Sequence, residues 1–257
     1  MRKHSGFTLI EVSIFLAITG LLLGAILVGT NTSINQQRFT DAVQNFADYL
    51  RGVYNTVENP QNVTSSSGGR SDRALYGQLI TFGESVDFDG NGANGKNLIM
   101  AYDVIGDVSG RLDGGDILGV LKTLNLNVVT KVGGKFVANG AHDMYSPKWG
   151  NRIQNEDKND FKGTLLVVRS PMSGAIHTFA MGNTIEINKQ ILPAADPPEN
   201  FNPLTASLNN FTKSEVNFCV GGDGMRQNIR ITANAHNSSD IIIVPLDGDD
   251  NKCNEGA

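Results

Sequence analysis

The sequence predicts an α+β fold in which one long N-terminal α-helix lays its second half against an antiparallel β-sheet carrying long inserted loops. Three observations carry that expectation. From Phe7 to Gly29 the only ionisable residue is Glu11, an apolar stripe at helical spacing then runs from Phe39 to Val57, and after Asn59-Pro60 the chain breaks into short apolar segments separated by Gly- and Asn-rich turns.

The segments divide as follows: residues 1–6 a basic leader, 7–30 a transmembrane helix, 31–58 its amphipathic continuation, and 59–257 a β-rich globular domain. Arg2 and Lys3 precede the apolar run, which is long enough to cross a hydrocarbon core of ~30 Å as a helix. A secretory signal peptide has a shorter apolar core, about 7–15 residues, and its small-residue cleavage site follows that core. Here Ser5-Gly6 precedes the run, so cleavage after Gly6 leaves the helix on the mature chain.

Within the span, Ser13, Ala17, Gly20 and Gly24 gather small side chains on one helical face. Such a face lets helix backbones approach closely in lipid. Beyond it, Phe39, Val43, Phe46, Leu50, Val53 and Val57 alternate spacings of four and three, with Asn35, Gln36, Gln37, Arg38, Asp41, Gln44 and Asp48 on the remaining surface. The helix should therefore run from near Phe7 to near Glu58, where Pro60 ends it, about 78 Å at 1.5 Å per residue.

Strands are expected at Ala74 to Phe82, Asn97 to Ile105 and Leu124 to Val132, with a short helix at Asp116 to Lys122. Lys131 to Val137 reads as a hairpin around Gly133-Gly134. Thr164 to Arg169 and Ala175 to Met181 form a second hairpin about the turn Ser170 to Gly174. Ile185 to Ile191 reads as an edge strand, Pro193 to Pro203 as a surface crossover, and Asn228 to Ala233 pairs with Asp240 to Val244.

Formal net charge is −5, with no large basic block after Lys3, which argues against a constitutive nucleic-acid binder. Catalysis finds no foothold: His4, His142, His177 and His236 lack metal-ligand spacing, and Ser170 lacks the glycines of a nucleophile elbow. The reading is of a non-enzymatic protein. Asp87, Asp89 and Asn91 open like a calcium loop, but Leu98 stands where its bidentate glutamate belongs. A solvated turn is the better reading there, and also at Asp113 to Asp116 and Asp247 to Asp250; calcium is the alternative, and no other cofactor is expected. Trp149, flanked by Tyr145, Lys148 and Arg152, either packs the sheet against the helix or binds DNA, glycan or a neighbouring subunit. The packing role is the simpler. Cys219 and Cys253, an even pair in a chain expected to be exported, suggest a disulfide. Closing that loop would stabilise the fold by roughly 3–4 kcal/mol.

The hexapeptide Gly6-Phe7-Thr8-Leu9-Ile10-Glu11, ahead of a full apolar span, resembles the signature of the type IV prepilin and pseudopilin superfamily. The resemblance implies that prepilin peptidase cuts after Gly6 and N-methylates Phe7, and that Glu11 meets the N-terminal amine of a neighbouring subunit during filament assembly. A carboxylate in a membrane segment needs a partner. The Phe7 amine of the same chain, one turn away, and the helix dipole could also satisfy it. Many major pilins carry a proline in this helix; here none precedes Pro60.

The implied function is a structural subunit, minor in rank, of a type IV pilus or a type II secretion-like pseudopilus. Its partners would be other pilin subunits, prepilin peptidase, an assembly platform protein with its ATPase, and membrane lipid before assembly. It would sit in the cytoplasmic membrane as a single-pass protein with the C-terminal domain outside, then enter an extracellular filament. The Cys219 to Cys253 loop would serve subunit or receptor contacts. A tip adhesin or DNA-binding pilin, contacting DNA or a host surface, is the alternative. The late strands look somewhat like those of H-type, FimT-like minor pseudopilins.

Overall fold

A computed structural model describes residues 8–59, 73–84, 98–107, 116–132, 135–137, 143–155, 159–182, 204, 207–222, 224–232 and 235–244. The chain forms two units, Met1–Asp41 and Ala42–Ala257, and the first helix, α1 (Leu9–Glu58), contributes to both. In the first unit α1 begins at Leu9 and shows its apolar side chains to the outside: Leu9, Ile10, Phe15, Leu16, Leu21 and Leu27 are all exposed, Leu9 by 88%.

In the second unit α1 buries Ala42, Val43, Phe46, Ala47, Leu50, Val53, Tyr54 and Val57. The alanines and Tyr54 widen the stripe read from the sequence, because a helix lying in a sheet groove needs small residues beside its large ones. Asp48 and Arg51, 2.8 Å apart on the outer face, pair as i and i+3. Arg51 also donates to the Ile241 carbonyl at 3.2 Å.

Eleven described strands follow. The larger sheet comprises β1 (Arg73–Glu84), β2 (Leu98–Asp107), β3 (Asn127–Val132), β4 (Lys135–Val137), β7 (Gly163–Arg169) and β8 (Ile176–Met181) in the order β4-β3-β2-β1-β7-β8, with β5 (Asp143–Tyr145) also pairing with β2. The smaller sheet comprises β6 (Arg152–Gln154), β9 (Val216–Gly222), β10 (Met225–Ile231) and β11 (Ile241–Val244) in the order β11-β10-β9-β6. Every pairing is antiparallel.

Alternation assigns the two faces of the larger sheet. Leu98, Met100, Tyr102 and Val104 of β2 join Leu79, Leu166, Val168 and Phe179 in one core, which is covered by α2 (Ile117–Thr123) through Leu121 and by Leu204, Leu208 and Phe211. The opposite face meets α1. There the buried Tyr54 hydroxyl lies 2.7 Å from Thr178 Oγ1, which donates to the Ala235 carbonyl at 3.1 Å. A hydroxyl has one proton, so Tyr54 is the donor in the first bond. Burial pushes the Tyr54 phenol well above its ordinary pKa.

The smaller sheet joins the same helix through aromatic packing. The Phe218 ring lies 5.6 Å from Phe46 of α1, 4.8 Å from Phe82 of β1 and 4.9 Å from Phe161. Edge-to-face and tilted pairs at these separations are favourable beyond their buried area.

Both predicted hairpins and the β10–β11 pairing are present. The expected strand at Leu124 to Val132 starts later, at Asn127, because Leu124 and Leu126 bury themselves in the turn after α2. Instead of one sheet there are two, and β5, β6 and β9 have no counterpart in the sequence expectation. The Ile185 to Ile191 strand and the Pro193 to Pro203 crossover lie outside the described residues.

Candidate functional site: the N-terminal helix and two surface features

The N-terminus of α1 is held by a reciprocal cap. The Glu11 amide donates to Thr8 Oγ1 at 3.3 Å, while the Thr8 amide and hydroxyl each donate to Glu11 Oε2 at 2.9 Å. This is the Thr-x-x-Glu capping box, legible in Thr8-Leu9-Ile10-Glu11 although the sequence expectation gave Glu11 other partners. Its carboxylate is thus satisfied within its own chain. Ser13 and Thr19 return their hydroxyls to carbonyls of the preceding turn, Ser13 to Ile10 at 2.9 Å and Thr19 to Phe15 at 2.8 Å, so neither exposes an unpaired donor on this apolar surface.

Ser13, Ala17, Gly20 and Gly24 all lie on α1. A Cβ built at Gly20 or Gly24 would meet nothing within 4 Å, so nothing among the described residues requires glycine at either position. The helix is long and apolar enough to cross a membrane, and its most apolar stretch is not buried among the described residues.

Gly6 and Phe7 lie outside the described residues, as do Asp87, Asp89, Asn91, His4, His142 and Cys253. Cys219 is buried on β9. Among the described residues no group of three or more His, Cys, Asp or Glu side chains could hold a metal ion. Ser170 is a turn serine, its Oγ accepting from the amides of Met172 and Ser173. His177 and His236 stand edge to face with ring centroids 6.1 Å apart. Burial, then the nearby Lys213 and His236 charges, lower the His177 pKa, with Asp116 acting in the opposite sense.

The packing role expected for Trp149 is not what is seen. Its side chain is 45% exposed, and its backbone sits at φ 56°, a left-handed conformation that is unusual for a bulky residue. The turn is fixed by Asn151, whose amide and Nδ2 both donate to the Lys148 carbonyl, at 3.2 and 2.9 Å. Asn151 is itself buried against Gly222, where a Cβ would collide with Asn151 Oδ1. Tyr145 takes the packing role instead, stacked on Tyr49 with centroids 4.8 Å apart and lying 5.7 Å from Phe46. Burial pushes the Tyr145 phenol up to about 12.

Residues 1–27 match the family model of the prokaryotic N-terminal methylation motif. This segment is a type IV pilin-like class III signal, and the chain continues as a long apolar helix followed by antiparallel sheets, an α+β fold consistent with that of a pilin. No curated protein and no solved structure matches the chain.

Proposed function

We propose that this chain is a non-catalytic structural subunit, minor in rank, of a type IV pilus or a type II secretion-like pseudopilus. Prepilin peptidase cuts it between Gly6 and Phe7 and methylates Phe7; α1 holds it in the cytoplasmic membrane with the C-terminal domain outside until a platform protein and its ATPase draw it into the filament. The carrying observation is a methylation motif leading into a helix whose most apolar stretch is left uncovered by the described residues. Lipid first, and then the helices of other subunits, supply the cover. Glu11 aligns each subunit by exchanging its Thr8 donors for a neighbour's N-terminal amine, with Ser13, Ala17, Gly20 and Gly24 at the helix contacts. Cys219 and Cys253 form a disulfide, a reading supported by the lack of any free cysteine among the described residues. Mass spectrometry of the mature N-terminus tests the proposal. A terminal peptide beginning at methylated Phe7 is expected, and one beginning beyond Thr30 would refute it.

A second reading, a ligand-contacting pilin on the same scaffold, is favoured by Trp149 alone: an exposed indole held at positive φ by a locked turn. Strain of that kind is retained where surroundings enforce it and is enriched at functional positions. Trp149 is the only tryptophan, so indole emission reports on this turn directly. Emission should change on adding DNA or host-surface glycans, and Trp149→Ala should abolish that binding while leaving filaments unaltered and stability within about 0.5 kcal/mol. Unchanged emission with every ligand, or an equal loss of folding in the variant, would remove this reading.

A further inference from the structure

His177 and His236 meet where residues 235 and 236 lie against β8. His236 Nδ1 is 2.8 Å from the Ile176 carbonyl; a carbonyl only accepts, so Nδ1 carries the hydrogen and any further proton must go to Nε2. The His177 ring lies beside that of Phe179, with centroids 6.4 Å apart, and edge to face with His236 at 6.1 Å. The Lys213 ammonium stands 5.6 Å from the centre of the same Phe179 ring. Three groups that bear positive charge when protonated are thus gathered at one place. Lys213 and His236 disfavour a proton on His177, whereas Asp116, the N-cap of α2, favours one. Asp240 accepts from the His236 amide at 2.7 Å. Arg169 of the neighbouring β7 is turned to the other face of the sheet, where it donates to the Glu58 carbonyl of α1 at 3.4 Å.

We propose that His177 and His236 form an acid-sensitive latch, closed while both rings are neutral and loosened when both are charged, which holds residues 235 and 236 to β8. Two imidazolium rings at this separation repel, and Lys213 adds to the repulsion. The latch also bears on the helix, because His236 follows Ala235, whose carbonyl accepts from Thr178 in the relay that begins at Tyr54. Burial, then Lys213 and His236, lower the His177 pKa, so the folded chain takes up this proton less readily than the unfolded one. The stability contributed by the latch is therefore complete above the ordinary histidine value of about 6.5 and is lost as pH falls from there to the lower folded-state value. The latch is independent of the filament reading, since all its residues belong to the second unit.

The test follows the full-length protein in detergent micelles between about pH 8 and about pH 5. The Cε1–H signals of His177 and His236 are assigned by NMR through His177→Gln and His236→Gln. His177 should titrate below about 6.5, and its titration should move upward in His236→Gln. Hydrogen–deuterium exchange, corrected for the intrinsic pH dependence of amide exchange, reads the latch itself: the peptide spanning residues 235–241 should lose protection at the acid end in the native chain and keep it in both variants. His236 is exposed, so His236→Gln leaves the core intact and carries the test where His177→Gln does not fold. Titration of His177 at or above the ordinary value, no movement of it in His236→Gln, equal protection at both ends of the range in the native chain, or the same loss in His236→Gln would each overturn the proposal.

Discussion

Phe218→Ala is expected to lower the unfolding free energy of residues 42–257 by about 3–5 kcal/mol, the usual cost of truncating a fully buried phenylalanine. Phe218 has no exposed surface, and its ring touches Phe46 of the helix, Phe82 of the larger sheet and Phe161 of the β6–β7 connection. Those three rings belong to different elements, so closing the space around any of them would shift at least one element. Against a typical domain stability of about 5–15 kcal/mol, the loss is a large fraction of the whole. Circular dichroism in urea is the appropriate readout, because Trp149 is too exposed to follow the core. The transition midpoint should fall while its slope stays constant. Phe161→Ala, at a half-buried ring, should cost clearly less. Equal effects would mean that the cluster is not centred on Phe218.

Glu11→Val should abolish incorporation into surface filaments while leaving membrane insertion intact, since valine is at least as well accommodated in lipid as glutamate. The capping box complicates the interpretation, because the substitution also deprives Thr8 of its acceptor. Thr8→Val separates the two effects. It removes the hydroxyl half of the cap and leaves the carboxylate for a neighbour. Filaments with Thr8→Val but none with Glu11→Val would assign the carboxylate to contacts between subunits. Equal loss would assign it to the helix start. Unchanged filaments in Glu11→Val would count against the filament proposal itself. Immunoelectron microscopy of the surface, with membrane fractionation as the control, measures both outcomes.

The helix was the most legible part of the chain, because a four-three spacing from Phe39 to Val57 has one structural solution and Asn59-Pro60 one consequence. The hairpin of β7 and β8 was equally plain, with apolar segments on either side of Ser170 to Gly174. What escaped was set by tertiary contact. β9, with the sequence Val216-Asn-Phe-Cys-Val-Gly-Gly, alternates for only part of its length and ends in two glycines, and nothing local says that Phe218 will meet Phe46. β5 and β6, three residues each, are too short for any periodicity. Trp149 was misplaced because an aromatic residue is ordinarily buried, whereas Asn151 and Gly222 hold this one outward.

The Tyr54–Thr178–Ala235 relay has a mechanical consequence. Lifting the part of α1 that belongs to the second unit off the sheets would break this buried chain of hydrogen bonds and the Phe46–Phe218 contact together. The two contacts would be lost together rather than one at a time, so that part of the helix should come away in a single step.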